Sequence, residues 1–185
     1  MGNGSVLVIR LSSMGDIIRA VPTLKSLKEN FNMVVFLAED RFSEIAEMYP
    51  FYDKAIFFPR KKLNLSSFKK FIIELRSEKF DLTLDIHGIL KSAVIAKLSH
   101  SEKIVGYPKN FSKEFAHFFY KDKIPCGDEL IISRYERYEK ALKYLGIEPK
   151  EQEKFFPPNI SNEASIFAEN FLRENNLQKN RFAFL

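Results

Sequence analysis

The sequence of 185 residues has no tryptophan, a single cysteine and no long apolar run. Because Cys126 stands alone, an internal disulfide and a cysteine-based metal cluster are excluded. No stretch approaches the ~20 consecutive apolar residues that span a bilayer. Residues 1–5 also lack the basic region of a secretory signal. These absences predict a cytoplasmic protein.

Two phosphate-binding signatures are missing as well. Only Gly15 follows the first apolar run, where a dinucleotide-binding fold has Gly-x-Gly-x-x-Gly, and no Gly-x-x-x-x-Gly-Lys-Ser/Thr occurs. The three scattered histidines have no metal-ligand spacing, so we expect no metal site. The net charge of +5 is too small to indicate a nucleic-acid partner, although it permits a phosphate, an acidic sugar or an anionic membrane surface.

What the sequence does contain is a regular alternation of strand and helix patterns. Apolar, β-branched runs predict strands over residues 5–11, 33–38, 54–58, 81–85 and 103–105. Helical spacing predicts helices over residues 17–28, 41–48, 66–78 and 89–98, the first beginning as late as Val21 because of Pro22. Such alternation with short connections predicts an α/β fold, a Rossmann-like parallel sheet with helices on both faces.

The remaining sequence predicts three further segments. Residues 129–145 form a helix that Gly146 ends, and residues 148–160, rich in proline, form a linker. Residues 161–185 contain a helix over 162–175 and a buried strand from 181 to 185, where the printed sequence stops. A buried strand with no covering element predicts a truncated second domain, and residues 1–147 form the first domain.

Four loops follow strands and therefore meet at the edge of the sheet where ligands of parallel sheets bind. They are residues 12–16, 59–62, 85–91 and 106–109, and all of them are polar or charged.

Two of these loops lie in longer motifs. Residues 8–24 read Val-Ile-Arg-Leu-Ser-Ser-Met-Gly-Asp-Ile-Ile-Arg-Ala-Val-Pro-Thr-Leu, and residues 81–92 read Asp-Leu-Thr-Leu-Asp-Ile-His-Gly-Ile-Leu-Lys-Ser. The first resembles the opening strand, loop and helix of the lipopolysaccharide heptosyltransferases, glycosyltransferase family 9. The second resembles that family's Asp-x-x-x-Asp-x-Gln-Gly-x-x-(Arg/Lys)-Ser. Lys103-Ile-Val-Gly-Tyr107 and Arg134-Tyr-Glu-Arg137 follow in the expected order.

The resemblance implies the N-terminal half of a two-domain GT-B fold. Residues 1–147 would bind the acceptor, the lipopolysaccharide inner core. The nucleotide sugar, ADP-heptose, would bind as a substrate to the C-terminal domain. Residues 161–185 would be the start of that domain, and its donor-binding residues would lie outside this sequence. The resemblance also implies inverting transfer without an essential metal or cofactor, and a chain that is inactive on its own.

For Asp16 the resemblance implies the role of general base, which takes the proton of the attacking hydroxyl. The alternative is an N-cap of the following helix, since Asp fills that position readily. The resemblance implies an acceptor-binding role for a larger set of residues: Ser12, Ser13, Gly15, Arg60, Lys61, Lys62, His87, Gly88, Lys91, Ser92, Arg134 and Arg137.

Structural alternatives stand beside several of these roles. The basic run of residues 60–62 is also typical of a solvated surface loop, and Arg134 and Arg137 have glutamates nearby for surface ion pairs. His87 stands where the family usually has Gln, which changes the detail of acceptor recognition. For Asp85 the alternative to a binding role is a structural one, as the cap of the same turn.

A lipid-anchored acceptor implies peripheral contact with the inner face of the cytoplasmic membrane. The candidate is the aromatic stretch of residues 111–120, although such a stretch is more often core.

Three hypotheses follow. The first is a heptosyltransferase acting on the inner core, and the second is a family-9 transferase for a different sugar or acceptor. The third is a non-catalytic acceptor-binding fragment.

Overall fold

The computed structural model describes residues 4–127, 132–150 and 156–177. Within these residues six strands form one sheet in the order β3-β2-β1-β4-β5-β6, and every neighbouring pair is parallel. The predicted α/β parallel sheet is therefore confirmed. The strands are β1 Ser5–Ile9, β2 Met33–Glu39, β3 Lys54–Phe58, β4 Leu82–Asp85, β5 Lys103–Gly106 and β6 Asp122–Lys123.

Helices cover both faces of this sheet. They are α1 Met14–Lys28, α2 Ser43–Glu47, α3 Leu65–Leu75, α4 Leu90–Leu98, α5 Arg134–Tyr144 and α6 Asn162–Glu174, with 3-10 turns at Asp40–Phe42, Lys109–Phe111 and Ala116–Phe119. The apolar sides of α1, α2 and α5 form one core against the sheet. The apolar sides of α3, α4 and the turn Ala116–Phe119 form a second core on the opposite face.

The central strand β1 shows why the sequence folds this way. Four consecutive residues of β1 are fully buried: Val6, Leu7, Val8 and Ile9. Side chains alternate across a strand, so Val6 and Val8 enter one core while Leu7 and Ile9 enter the other. A continuous apolar run is what a strand covered on both faces requires.

Helix α1 differs from the prediction that it begins near Val21. It starts at Met14, because the carbonyl of Ser13 accepts the N–H groups of Asp16 (3.1 Å) and Ile17 (2.9 Å). The loop predicted over residues 12–16 is shorter for the same reason. Pro22 lies inside the helix, where burial of Ile17 and other apolar residues of α1 offsets the hydrogen bond that proline removes.

Helix α5 also begins later than predicted, at Arg134 instead of residue 129. The Ser133 side chain accepts the N–H of Glu136 (3.2 Å), and the Glu136 carboxylate accepts the N–H of Ser133 (2.5 Å). This reciprocal capping fixes the first turn. Residues 128–131, part of the predicted linker and the predicted strand over 181–185 lie outside the described residues. The short strand β6 and the 3-10 turns between β5 and β6 were not predicted.

Candidate functional site

A cleft of about 220 Å³ opens at the carboxyl ends of β1 and β4. The strand order reverses between β1 and β4: β2 and β3 extend the sheet toward one edge, and β5 and β6 extend it toward the other. Open α/β sheets bind ligands at such a point. The cleft is lined by Arg10, Ser12, Ser13, Asp16, His87, Gly88, Ile89, Phe111, Lys113, Arg134 and Arg137.

Asp16 lies in the first turn of α1, and its carboxylate is held by arginines from three directions. Arg10, which directly follows β1 and is 1% exposed, donates to Asp16 from Nη2 and to the carbonyl of Ile86 from Nη1 (3.2 Å). Arg19 Nη1 lies 3.3 Å from Asp16 Oδ1, and Arg134 Nε lies 3.8 Å from the same atom. The N-cap position belongs to Ser13, so the alternative that Asp16 is the N-cap is wrong.

These contacts set the charge state of the carboxyl group. Partial burial alone would raise the pKa of Asp16, but the positive charges of Arg10, Arg134 and Arg19 outweigh it and hold the pKa below its ordinary value. Asp16 is therefore ionised at neutral pH, and it is available to accept a proton as a weak base.

The loop after β4 forms the opposite wall, and buried Asp85 organises it. The Asp85 carboxylate accepts the N–H groups of His87 (2.9 Å) and Gly88 (3.1 Å) and the hydroxyl of Tyr120 (2.8 Å). Burial nevertheless raises the pKa of Asp85. Gly88 adopts φ +77°, and a Cβ there would lie 3.3 Å from the ring of Tyr107, so the turn needs glycine. Asp85 thus has the structural role that the sequence offered as an alternative.

His87 is held neutral in this wall. Its Nδ1 accepts the N–H of Leu11 at 3.3 Å, so the proton of the neutral ring lies on Nε2. Burial, together with the charges of Arg10, Lys91 and Arg134, lowers the pKa of His87 to about 3. An acceptor on one side and a donor on the other is also what a Gln side chain offers, so this arrangement is compatible with the Gln that the resemblance implies at this position.

The third wall comes from α5 and the segment before it. Arg137 donates from Nη1 to the carbonyl of Phe111 (3.3 Å) and stacks on the Phe111 ring, with its Cζ 5.1 Å from the ring centre. Four cations (Arg10, Lys113, Arg134 and Arg137) line the cleft against one carboxylate, that of Asp16. With His87 neutral, the cleft carries an excess of positive charge, which suits an anionic ligand.

The structure brings together seven of the residues predicted for the site. Asp16, Ser12, Ser13, His87, Gly88, Arg134 and Arg137 all line the cleft.

Gly15, Lys91, Ser92 and the run from Arg60 to Lys62 do not line it. Lys91 pairs with buried Glu39, and Ser92 is buried, where its hydroxyl donates to the carbonyl of Ile89 (2.9 Å) in the first turn of α4. Their predicted binding roles remain predictions.

The basic run from Arg60 to Lys62 lies in an exposed loop after edge strand β3. The carboxylate of Asp40 accepts the N–H groups of Arg60 (3.0 Å) and Lys61 (3.1 Å), which fixes the loop backbone and leaves the side chains exposed. Because β3 lies two strands from β1, this loop is roughly 10 Å across the sheet from the first strand's end.

Sequence reasoning missed four residues of the cleft, the apolar Ile89 and Phe111 and the charged Arg10 and Lys113. A signal for Arg10 existed, since a charged residue inside the apolar run of residues 6–11 must find a partner when buried. No local signal marks Lys113, which reaches the cleft because its N–H donates to the carbonyl of Gly88 (2.8 Å).

Within the described residues, both a cluster of metal-ligating side chains and a membrane-spanning helix are absent. Residues 4–127, 132–150 and 156–177 contain no group of three His, Cys, Asp or Glu side chains placed to hold a metal ion. Within the same ranges, no helix has the length and apolar character needed to cross a membrane.

Comparison with known families gives a match to a family model. The model of glycosyltransferase family 9 (heptosyltransferase) matches residues 68–170, which is more than half of the chain. The matched segment includes the His87 loop and α5 but begins after Asp16 and the Arg60 loop.

Curated relatives point the same way. Lipopolysaccharide heptosyltransferase 1 of Campylobacter coli is 30% identical over 158 residues, which cover 83% of this chain and 43% of that protein. The protein of the same name from Pseudomonas aeruginosa is 26% identical over 152 residues, covering 75% and 43%. The chain thus spans about half the length of the curated relatives it matches.

Solved structures of low identity share the fold. A family 9 glycosyl transferase from Veillonella parvula superposes with a TM-score of 0.74 at 17% identity, covering 96% of this chain and 51% of the other. Heptosyltransferase WaaC of Escherichia coli with ADP-2-deoxy-2-fluoro heptose gives 0.66 at 23% identity, covering 80% and 50%. The sheet described here therefore corresponds to one half of a GT-B glycosyltransferase, as the sequence predicted.

Proposed function

The chain belongs to glycosyltransferase family 9, the heptosyltransferases, and from this we propose that the full-length protein transfers heptose from ADP-heptose to the lipopolysaccharide inner core. The observation that carries the proposal is the cleft at β1 and β4, where an ionised carboxylate stands among cations. A transferase for an acidic sugar acceptor needs both: a group that accepts the hydroxyl proton and a positive surface that binds the acceptor.

In the proposed reaction the acceptor hydroxyl oxygen attacks the anomeric carbon of the donor sugar from the face opposite the leaving group. The new carbon–oxygen bond forms as the bond to the ADP phosphate breaks, which inverts the configuration. The proton of the hydroxyl passes to the Asp16 carboxylate. Because the arginines lower the pKa of Asp16, the transfer occurs late, when the attacking oxygen has already become acidic.

The cationic residues of the cleft have a separate role in this proposal. Arg134, Arg137 and Lys113 line the side of the cleft formed by α5 and its neighbouring segment, where they would bind the carboxylate or phosphate groups of the acceptor. The Nε2–H of His87 would donate to a sugar hydroxyl. The Arg60–Lys62 loop, roughly 10 Å away across the sheet, would reach a second anionic group of an extended acceptor.

The donor and the membrane complete the proposal. ADP-heptose would be a substrate that binds the half of the protein this chain does not span, with no metal or other cofactor required. Since an inner-core acceptor is anchored in lipid, we also propose a cytoplasmic protein that contacts the inner face of the membrane peripherally.

The test is a transfer assay on the full-length protein with ADP-heptose and a lipid A acceptor that carries an acidic core sugar. We expect turnover in the wild type and a loss of at least about a hundred-fold in kcat for Asp16→Asn with the fold retained. No turnover of this pair by folded wild-type protein would refute the proposed substrates. Full activity of Asp16→Asn would refute Asp16 as the base.

A different acceptor is the second candidate, and His87 is the observation that favours it. Histidine offers one donor where glutamine offers two, so the recognised hydroxyl pattern can differ. The test compares wild type and His87→Gln on acceptors with different core sugars. A change in acceptor preference supports the second candidate, and an unchanged preference shows that His87 does not determine which acceptor is used.

A further inference from the structure

The layer made by α3, α4 and the turn Ala116–Phe119 exposes large apolar side chains to solvent. Leu65 is 85% exposed, Phe118 76% and Phe115 71%. The exposed apolar residues of this layer, which we call the α3–α4 face, are Leu63, Leu65, Phe68, Ile73, Leu90, Val94, Phe115 and Phe118. The layer of α1, α2 and α5 exposes fewer: Met14, Ile18 and Tyr135.

The same elements bury their other side in one common core. Phe71 and Leu75 of α3, Ile95 of α4 and Ala116 of the turn all pack in the core beneath them. Because a helix presents opposite sides to the sheet and to solvent, the exposed residues of these neighbouring elements lie on the outer side of one layer. The α3–α4 face is therefore a broad surface and not a set of scattered side chains.

Positive charge is concentrated in the segments that contain this face. Residues 60–76, 90–100 and 107–121 carry eleven Lys and Arg but two acidic residues, Glu74 and Glu114, a net charge of +9. Two of these cations are used elsewhere, since Lys91 pairs with Glu39 and Lys113 lines the cleft. The rest of the chain has the remaining eighteen basic and twenty-two acidic residues, a net charge of −4. The modest charge of the whole chain hides a strong asymmetry.

The lysines of the face are placed to meet an external anion. Lys69 and Lys70 are exposed on α3 beside Phe68. Among the ion pairs of the described residues, none involves Lys69, Lys70, Lys97 or Lys121.

We propose that the α3–α4 face docks on the surface of an anionic lipid bilayer. Exposed Leu and Phe side chains insert at the boundary of head groups and acyl chains, and the lysines around them bind anionic head groups. A second copy of the chain fits this surface poorly, because two faces that each carry exposed lysines such as Lys69 and Lys70 would repel each other.

This docking face rests on the proposed function and assigns its membrane contact to a particular surface. The same face is also connected to the cleft. Phe111 and Lys113 line the cleft, while Phe115, four residues after Phe111, is on the face. The N–H of Lys113 donates to the carbonyl of Gly88, so the segment is tied to the cleft wall. Docking would hold the cleft beside the bilayer, where a lipid-anchored acceptor lies.

The test is co-sedimentation of the full-length protein with vesicles that contain no sugar acceptor. Vesicles of phosphatidylcholine with about a third phosphatidylglycerol are compared with pure phosphatidylcholine, at low and high salt. Lys69→Glu/Lys70→Glu removes two cations from the face. The matched control, Lys140→Glu/Lys143→Glu on α5, makes the same change of net charge on the opposite layer. Circular dichroism checks that both variants are folded.

We expect binding to the anionic vesicles that high salt weakens. Since two lysines near an anionic surface together contribute roughly thirty-fold in partitioning, the α3 variant should lose at least that factor while the α5 control keeps most of its binding. A Phe118→Ser variant, which leaves the charges in place, should lower the binding that remains at high salt.

Three results would overturn the inference. They are no binding to anionic vesicles, equal losses in the α3 variant and the α5 control, and dimerisation or nucleic-acid binding that depends on Lys69 and Lys70 without vesicle binding. Because the vesicles contain no acceptor, these results are independent of the transfer assay. Active transferase without vesicle binding would refute the docking face alone.

Discussion

Asp16 should stabilise the domain as well as serve the reaction, because it is the counter-ion of a buried arginine. Arg10 is 1% exposed, and its Nε has no hydrogen-bond partner within the described structure. Its charge is balanced by Asp16, whose side chain is 14% exposed. Replacing Asp16 by alanine leaves Arg10 buried without that partner.

Removing one partner of a buried ion pair costs about 3–5 kcal/mol. Because Asp16 borders an open cleft, we expect the lower end for Asp16→Ala, about 3 kcal/mol, and about 1–2 kcal/mol for Asp16→Asn, which keeps an oxygen toward Arg10. For a domain of this size, a loss of about 3 kcal/mol lowers the melting temperature by roughly 6–12 °C. The pKa of Asp16 is lowered in the folded state, so its contribution is present above about pH 4 and is lost as pH falls through the folded value.

The assay is differential scanning calorimetry of wild type and both variants, repeated in an Arg10→Met background. Without the buried guanidinium, Asp16→Ala should cost less than about 1 kcal/mol, which gives a coupling of about 2 kcal/mol between the two positions. An Asp16→Ala shift below about 2 °C, or equal shifts in both backgrounds, would refute the counter-ion role. The result also bears on the transfer assay, since an inactive Asp16→Ala is informative only if the protein is folded.

Three further predictions concern the other walls of the cleft. The pKa of His87 falls from 6.5 in the unfolded chain to about 3 in the folded one, so the contribution of the neutral ring to stability is full above about pH 6.5 and is lost as pH falls toward 3. Between pH 7.5 and 4.5, the free energy of unfolding of His87→Gln should therefore fall by about 2–3 kcal/mol less than that of the wild type. Urea unfolding measures both, and equal losses would contradict the neutral histidine. Gly88→Ala should destabilise by about 1–2 kcal/mol because of its positive φ and the Tyr107 ring, and calorimetry showing no change would mean that the turn rearranges freely. Arg137→Met should raise KM for an acidic acceptor about ten-fold with little change in kcat, whereas a fall in kcat alone would place Arg137 in the transition state instead.

Most of the sheet followed from the sequence, because each central strand is an apolar run covered on both faces. The prediction failed where local patterns do not decide the structure. The start of α1 depended on the backbone bonds to Ser13 and on burial beneath Pro22, and β6 has only two residues, too short for any periodicity. The start of α5 was misplaced although Ser133 and Glu136 form a capping-box pattern in the sequence.

The candidate site was likewise predictable from the sequence only where topology decides the position of a residue. Asp16, in the first turn of α1, and His87, in the loop after β4, both follow closely on a strand, so the topology alone brings them to one edge. Arg134 and Arg137 reach the cleft because α5 packs on α1, a contact between residues more than a hundred positions apart that no local pattern specifies. For the run from Arg60 to Lys62 the density of charge does not decide the role, because a basic run on an edge loop is exposed whether or not it binds a ligand, and its binding role stays a prediction.

Burial is the main cause of the neutral state of His87, and the charge of Arg10 contributes both to that state and to the ionised state of Asp16. The guanidinium lies between β1 and the two loops, where its charge lowers the pKa of both groups. A protonated His87 would add a further buried cation beside Arg10, and a protonated Asp16 would leave Arg10 without its counter-ion. One arginine inside the first strand's apolar run therefore favours a carboxylate and a neutral donor on facing walls, together with burial of His87 and the charges of Arg19 and Arg134, and these are the two protonation states that the proposed transfer requires.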